Sequence, residues 1–152
     1  SACLVGSEMC IRDSVRGFET ARNAGLRICV HIINGLPGET PEMMEQTAEI
    51  LGGMRPDGVK IHLLHVIKNT TLAGLWESGK YQPMERDDYI GTVVRQLELL
   101  PPETVIERLT GDGGRDSLLA PLWSLDKRAV LGGIMKRQKQ LDSVQGLRFQ
   151  EG

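Results

Sequence analysis

The sequence predicts an α/β fold with parallel strands, and three observations predict it. Residues 26–40 read L-R-I-C-V-H-I-I-N-G-L-P-G-E-T, a strand-like run that enters a Gly-Pro-Gly loop and then a helix start. A second strand-like run, V-K-I-H-L-L-H-V-I, follows that helix at residues 59–67. A helix between two strands favours a right-handed parallel crossover. In such folds ligands bind at the carboxyl ends of strands, where the glycine loop falls.

Each predicted strand has one apolar side and one partly polar side, because successive side chains point to opposite faces of a sheet. In the first strand, Leu26, Ile28, Val30 and Ile32 oppose Arg27, Cys29, His31 and Ile33. In the second, Val59, Ile61 and Leu63 oppose Lys60, His62 and Leu64. In a parallel barrel the polar sides face the lumen. An unpaired buried charge is costly, so a lumen that holds His31, Lys60 and His62 predicts a polar ligand.

Length and composition limit the classes of protein to consider. A chain of 152 residues with 40% apolar and 25% charged residues can bury one core, which predicts one domain. No apolar run approaches the roughly 20 residues of a spanning helix, so no membrane partner is predicted. The net charge of -2 gives no electrostatic reason to expect nucleic acid. Cys3, Cys10 and Cys29 form no metal-ligand or disulfide pattern, and a cytoplasmic location is the default expectation.

Residues 1–14 are predicted to be a non-native segment. Within them, Glu8–Ser14 reads E-M-C-I-R-D-S, which matches one reading frame of a transposase adapter used for sequencing libraries. We therefore leave this segment out of the fold prediction and expect the native chain to begin upstream. The alternative is a genuine N-terminal helix or tail.

The remaining elements are predicted in order from Val15. Caps and breakers mark the helix boundaries: Thr40 and Pro41 suit a helix start, Gly52-Gly53 a stop, and Pro101-Pro102 another stop. Helices are predicted at 15–23, 40–51, 72–78, 85–100 and 126–141, a third strand at 104–110, a glycine-rich loop at 111–115 and a short apolar stretch at 118–123. Beyond residue 142 the polar sequence is expected to fray.

Five segments, taken together in their order and spacing, carry a family resemblance. They are H-I-I-N-G-L-P-G-E-T, G-V-K-I-H-L-L-H, L-L-P-P-E, R-L-T-G-D-G and L-L-A-P-L-W-S. The chain after residue 14 resembles the C-terminal half of radical S-adenosylmethionine (radical SAM) proteins, in particular an uncharacterised bacterial group related to the radical SAM part of the Elongator catalytic subunit. The resemblance implies a partial (β/α)6 TIM-like barrel, with residues 15–115 as its C-terminal half and 116–152 as a helical extension and tail.

The resemblance also implies cofactors and partners. Radical SAM proteins bind a [4Fe-4S] cluster through Cys-x3-Cys-x2-Cys, and S-adenosylmethionine binds at the cluster. This chain has no such cysteine motif. The resemblance therefore implies a fragment of an enzyme that is inactive alone, with the missing N-terminal half of the same barrel as its partner. Related enzymes modify tRNA, which makes tRNA a substrate candidate by family analogy only.

Two sets of site residues follow from the resemblance. His31 matches a position near the ribose hydroxyls of the cofactor, the glycine loop lets the backbone approach it, and Leu63 and Leu64 match positions whose backbone meets the adenine. The whole cofactor-binding set is His31, Asn34, Gly35, Leu36, Pro37, Gly38, Glu39, Leu63 and Leu64. The substrate-side candidates are Lys60, His62, Arg108 and Asp112. Neither catalytic residues nor metal ligands are assigned.

Each assignment has a structural alternative. His31 and His62 could be ordinary histidines with satisfied hydrogen bonds, and the glycine loop a tight strand-to-helix connection. Lys60 and Arg108 could lie on a solvated sheet edge, and Arg108 could instead pair with Asp112. Cys29 is predicted to be a small buried hydrophobe. Trp123 and Leu118 are predicted to be core residues.

Two functional alternatives stay open at this point. One is a self-contained module that binds an anion or nucleotide, with Gly35–Thr40 as an anion cradle at a helix N-terminus. The other is a structural or partner-binding piece, for which a half barrel with an exposed parallel edge should be found paired.

Overall fold

The protein has an α/β fold built on a small parallel sheet. A computed structural model describes residues 8–111 and 113–150, with side chains described from residue 14 onward. In chain order the elements are α1 (Glu8–Asn23), β1 (Cys29–Asn34), α2 (Pro41–Met54), β2 (Gly58–Leu63), β3 (Val66–Ile67), α3 (Thr71–Glu77), α4 (Arg86–Leu99), β4 (Val105–Arg108), β5 (Leu118–Ala120), a 3-10 turn (Leu122–Leu125) and α5 (Lys127–Leu141).

The main sheet has three parallel strands in the order β1-β2-β4, as the strand-helix-strand pattern predicted. Helices α2, α4 and α5 cover one of its faces, with α4 packed between the other two. The apolar side of β2, Val59, Ile61 and Leu63, is buried against these helices. The predicted core residues Trp123 and Leu118 are also found packed, Trp123 against this core and Leu118 in a buried position. The opposite face of the sheet carries the polar sides of β1 and β2.

The strand predicted at residues 59–67 is interrupted. Its first part is β2, whereas Val66–Ile67 forms β3, which pairs antiparallel with β5 in a separate two-stranded sheet. A second apolar cluster forms around this small sheet, from Val66, Ala73, Tyr81 and Ala120. The sequence did not predict this break, because the residues of β2 and β3 are both largely apolar. Both strands are buried, but β2 lies in the main core and β3 in the second cluster.

Helix α2 begins where predicted and ends later. The Thr40 hydroxyl accepts a hydrogen bond from the Met43 amide, as an N-cap does. The prediction that Gly52-Gly53 stops the helix is wrong, because α2 continues to Met54 and Arg55 takes the left-handed cap conformation with φ 52°. Gly52 is needed for packing instead: a Cβ there would lie 2.5 Å from the carbonyl oxygen of Leu99 in α4.

The expectation that the chain frays beyond residue 142 is also wrong. The Gly146 amide donates to the Leu97 carbonyl at 3.0 Å, and the Arg148 amide donates to the Glu98 carbonyl at 2.8 Å. In a continuing α-helix these carbonyls would accept from residues 101 and 102, four positions on. Both are proline and have no N–H, so the C-terminal segment supplies the donors that the prolines lack.

Helix α1 starts before its predicted beginning. The sequence predicted a helix from Val15, but α1 extends back to Glu8, into the adapter-like segment. Residues 1–7 of that segment lie outside the described residues. Within the described ranges, no helix is both long enough and apolar enough to cross a membrane.

Candidate functional site

Two histidines stack on the face of the parallel sheet opposite helices α2, α4 and α5. The β1–β2 register sets His31 beside Lys60 and Ile33 beside His62, so the polar sides of both strands face the same way. The imidazole rings of His31 and His62 have their centroids 5.8 Å apart and their planes 24° apart. His31 is exposed and His62 is half-buried. The alternation in the sequence therefore placed both side chains on the correct face.

A lysine-carboxylate pair lies on the same face. The Lys60 ammonium is 3.1 Å from a carboxylate oxygen of Glu107 in β4. Gly58 of β2 has no side chain, and a Cβ there would lie 3.1 Å from Glu107 Oε1 and 3.6 Å from Cys29 Sγ. Glu107 and Cys29 can therefore meet across β2. We call Cys29, His31, Lys60, His62 and Glu107 the polar sheet face.

The electrostatic environment of this cluster keeps the Cys29 thiol protonated. Burial raises the pKa of Cys29, and its hydrogen bond to Glu107 raises that pKa further. The hydrogen bond from Lys60, and then the one from Cys29, lower the pKa of Glu107. At neutral pH the carboxylate is therefore charged and the thiol is protonated. Cys29 acts here as a hydrogen-bond donor, not as a nucleophile.

Glu107 is the site residue that the sequence analysis missed. It neutralises Lys60, so the expectation of a polar ligand cannot rest on an unpaired lysine. Ile106 packs against the core, and alternation counted from Ile106 would have placed Glu107 on the polar face. Arg108 was predicted there instead. It is exposed and lies opposite Lys60 only after a register shift between Val59 and Lys60.

The glycine loop after β1 is tied together by its own glutamate. The Glu39 amide donates to the Leu36 carbonyl at 2.9 Å, and Gly38 has φ +81°, as expected for a turn with proline followed by glycine. One carboxylate oxygen of Glu39 accepts from the amides of Gly35 at 2.8 Å and Leu36 at 3.0 Å. These amides are the donors that an anion cradle would need, which counts against the anion-binding alternative.

Gly35 faces the interior of the fold. Its φ is +83°, and a Cβ there would lie 2.9 Å from Met84 Cγ. Its carbonyl accepts a hydrogen bond from the Tyr81 hydroxyl at 2.7 Å. Burial, with a smaller contribution from the Glu39 charge, raises the pKa of Tyr81 to about 12. In contrast, Gly38 is exposed and nothing lies near the position of its missing Cβ.

The other predicted cofactor residues point mostly into the fold. Asn34 is 2% exposed, and its side-chain amide is paired with Gln96 of α4. Leu63 lies in the core, and the Leu64 amide donates to the Asn34 carbonyl at 2.9 Å. Leu36 and Pro37 are half-buried, and Asp112, a substrate-side candidate, lies outside the described residues. Among these candidates, His31 and Gly38 are the exposed ones, and the cofactor roles of the whole set stay predictions.

An iron-sulfur cluster does not fit the described residues. Among them, no group of three or more histidine, cysteine, aspartate or glutamate side chains could hold a metal ion. Cys29 is the cysteine whose side chain is described, and its thiol donates to Glu107.

Comparison with known proteins identifies the family. Residues 56–140 match the family model described as the Radical_SAM C-terminal domain. The chain belongs to the radical SAM C-terminal domain family. It is 43% identical over 136 residues to the uncharacterized protein YtqA of Bacillus subtilis, a match that covers 90% of this chain and 42% of that protein. It is 39% identical over 108 residues to the protein YhcC of Escherichia coli, covering 71% of this chain and 35% of that protein.

The Elongator relatives named by the sequence resemblance are also found. Human Elongator complex protein 3 is 35% identical over 113 residues, covering 66% of this chain and 21% of that protein. A structure of Elp3 from the archaeon Methanocaldococcus infernus superposes with a TM-score of 0.79 at 20% identity, covering 89% of this chain and 32% of the other. This similarity shows a shared fold. The radical SAM chain described here spans less than half the length of the relatives that it matches.

Proposed function

We propose that this chain is the part of a radical SAM enzyme that binds the nucleoside end of S-adenosylmethionine and faces the substrate. The observation that carries the proposal is the stacked pair of His31 and His62 on the sheet face opposite the helices. Two flat rings side by side on a sheet face suit contact with a planar base, and ring nitrogens can donate to or accept from ribose hydroxyls. Family membership supports the same assignment.

The chain's own residues contribute binding and orientation. S-adenosylmethionine supplies a radical initiator when it is bound at a reduced iron-sulfur cluster, and no ligands for that cluster are present among the described residues. His31 and His62 would hold the nucleoside, with Gly38 at the exposed side of the glycine loop. Glu39 and Tyr81 fix the loop from behind by binding its backbone. Lys60 and Glu107 form a neutral pair beside the histidines, a substrate-side position.

The partner in this proposal is the missing N-terminal half of the same barrel. In the described sheet, β1 pairs with β2 and presents its other edge without a neighbouring strand. Parallel sheets are normally covered on both faces, and an open edge is a template for another strand. The relatives YtqA and YhcC are more than twice as long as the matched region, so they have chain that could supply this half. We propose tRNA as the substrate by family analogy alone, and we assign no reaction.

Recovery of the gene from source DNA, without adapter sequence, tests the fragment proposal. We expect the upstream reading frame to encode Cys-x3-Cys-x2-Cys. The longer protein, reconstituted with iron and sulfide without oxygen, should bind S-adenosylmethionine, measured by calorimetry. His31→Ala and His62→Ala should each weaken that binding about tenfold or more, the loss expected from one stacking or hydrogen-bonding contact of roughly 1.4 kcal/mol.

The matched control is Met135→Ala, which alters an exposed side chain on α5, in the helical layer that covers the opposite face of the sheet. Both histidine variants must keep the iron-sulfur absorbance of the unaltered protein, so that the loss is assigned to the nucleoside. A native reading frame that begins near Val15 with its own start codon would refute the fragment proposal. Unchanged affinity in both histidine variants would refute the nucleoside assignment.

A further inference from the structure

A basic pocket lies where the glycine-rich loop after β4 meets the beginning of α5. It measures about 480 Å³, within the usual range for small-molecule sites. Among the described residues that line it are three cations, Arg115 from the loop and Lys127 and Arg128 from α5, and one carboxylate, Asp126. The Asp126 carboxylate is turned into its own helix, where it accepts from the Ala129 amide at 3.0 Å. The described lining is therefore positively charged.

The two arginines of this pocket are available to a ligand. Within the described ranges, neither Arg115 nor Arg128 forms an ion pair, and both side chains are exposed. A guanidinium group presents a planar fork of N–H donors that can bind two oxygens of one anion at once. Two arginines that line one cavity without a carboxylate partner are thus suited to an anion from outside the chain.

The loop side of the pocket is held in place by the rest of the fold. A Cβ at Gly111 would lie 2.5 Å from His65 Cε1, and a Cβ at Gly113 would lie 3.0 Å from His65 Nδ1. The loop backbone therefore lies directly against the His65 imidazole. Further along the loop, the Lys68 amide donates to the Ser117 carbonyl at 2.9 Å. A loop that is already positioned loses less conformational freedom when a ligand binds.

The pocket lies at the end of the sheet where ligands reach parallel α/β folds. Strands β1, β2 and β4 are parallel, so their carboxyl ends lie at the same end of the sheet. The loop 35–38 follows β1 there, and the loop that contains Gly111 and Gly113 follows β4. Ligands in such folds bind at the carboxyl ends of the strands. The pocket is therefore on the side from which a substrate would reach the polar sheet face.

The charge of the lining favours phosphate over carboxylate. A phosphomonoester carries about -1.5 to -2 charge near pH 7 and has three strong acceptor oxygens. A carboxylate has one charge and two oxygens. Three acceptors can be shared between the forks of Arg115 and Arg128, whereas a carboxylate is satisfied by one of them.

We propose that the pocket lined by Arg115, Lys127 and Arg128 binds a phosphate group of the substrate. Its role as a substrate site rests on the function proposed above, but the binding of phosphate does not depend on that function. A small phosphomonoester and a nucleic-acid backbone offer this pocket the same chemistry, and the experiment distinguishes these two sources.

An NMR titration of the 152-residue chain tests the proposal, with neither an iron-sulfur cluster nor S-adenosylmethionine present. The probes are inorganic phosphate and acetate at constant ionic strength. We expect inorganic phosphate to shift the amide signals of Gly113, Lys127 and Arg128 with saturation, and acetate to bind about tenfold more weakly because of its lower charge. Equal binding of acetate would overturn the phosphate assignment. The absence of any saturable shift at these amides would overturn the site itself.

Two arginine variants and a matched control locate the binding. Arg115→Gln and Arg128→Gln should each weaken phosphate binding about tenfold, the usual loss for one charge-assisted contact. Arg115→Lys, which keeps the charge without the fork, should lose less than Arg115→Gln. Lys139→Gln removes a cation from the other end of α5, outside the pocket, and should leave the affinity unchanged. A loss in Lys139→Gln as large as in the arginine variants would indicate diffuse charge and overturn the proposal.

Loss of fold does not confuse this test. Removing a cation from the first turn of α5 does not weaken the helix, because positive charge is unfavourable at that end. Unchanged amide spectra of the variants without phosphate check this. Since the titration uses no cofactor, a negative result would leave the assignment of His31 and His62 to the nucleoside standing, and failure of that assignment would leave phosphate binding standing.

Competition identifies the source of the phosphate. Methyl phosphate and a short single-stranded RNA each compete with inorganic phosphate for the Gly113 signal. Displacement by RNA at lower concentration, with a salt dependence of about -0.7 per phosphate contacted, supports the pocket as one contact of a nucleic-acid backbone. Displacement by methyl phosphate at lower concentration supports a small phosphomonoester. Failure of both to displace inorganic phosphate would overturn the assignment to a substrate phosphate.

Discussion

The side-chain amides of Asn34 and Gln96 form a reciprocal hydrogen-bonded pair in the interior. Each amide nitrogen donates to the other's oxygen at 2.8 Å. The Gln96 nitrogen also donates to the Met44 carbonyl at 3.0 Å. Three elements, β1, α2 and α4, are thus joined by polar contacts directly below the glycine loop. The pair satisfies two amides that are otherwise costly to bury.

Removing either amide should destabilise the fold. Asn34→Ala and Gln96→Ala each leave a buried partner without its hydrogen bond, at a cost of about 1–3 kcal/mol. The double variant should cost less than the sum of the two, because the orphaned partner has gone as well. Urea denaturation of all four proteins measures this coupling. Strictly additive costs would show that the two amides do not interact in the native state.

The two adjacent glycines at the end of α2 should respond in opposite directions to alanine. Gly52→Ala introduces a Cβ only 2.5 Å from the Leu99 carbonyl oxygen and should destabilise by about 1–3 kcal/mol. Gly53→Ala meets nothing within 4 Å and should stabilise by about 0.5–1 kcal/mol, since alanine is the better helix former. Thermal unfolding of both variants makes the comparison. A similar effect at both positions would contradict the close packing of α2 against α4.

The tyrosines should ionise at a higher pH in the folded chain than in the unfolded chain. The sequence has two tyrosines, Tyr81 and Tyr89, and burial raises the pKa of both, for Tyr81 to about 12. Because these pKa values lie above the unfolded value, the associated stability is complete below pH ~10 and is lost as the pH rises towards 12. Phenolate absorbance should therefore appear at a higher pH in the folded chain than in the chain unfolded by urea. Tyr81→Phe, which lacks the hydroxyl bound to Gly35, should remove part of this alkaline destabilisation.

Reactivity of Cys29 should report on the polar sheet face. In a background with Cys3→Ser and Cys10→Ser, Glu107→Gln removes a charge that raises the pKa of Cys29. Alkylation by iodoacetamide at fixed pH should then become faster, because more thiolate is present. Lys60→Met should slow it, since the lysine lowers the same pKa. If both variants react at the same rate as the background protein, neither group influences the thiol.

Local patterns predicted the elements that depend on local chemistry. The parallel β1–β2 pair, the Thr40 cap and the polar side with His31 and His62 follow from alternation and capping, which act within a few residues. The break between β2 and β3 could not be predicted in this way. Its cause is pairing of Val66 with Ala120, a contact between residues far apart in the chain.

The interior roles of the loop residues were also beyond the sequence patterns. A Gly-Pro-Gly run followed by glutamate predicts a turn, but not that Glu39 turns back onto the amides of Gly35 and Leu36. Met84 lies where a Cβ at Gly35 would be, and Tyr81 binds the Gly35 carbonyl; both belong to a different part of the chain. Such contacts depend on tertiary packing, which propensity and periodicity do not encode.

The bonds from Gly146 and Arg148 to the end of α4 have a consequence for synthesis of the protein. Translation delivers Leu97 and Glu98 well before it delivers the amides that satisfy them. Until residues 146–148 have emerged from the ribosome, the last turn of α4 must rely on water for those two carbonyls. Completion of this helix therefore waits for a segment that is synthesised well after the helix itself.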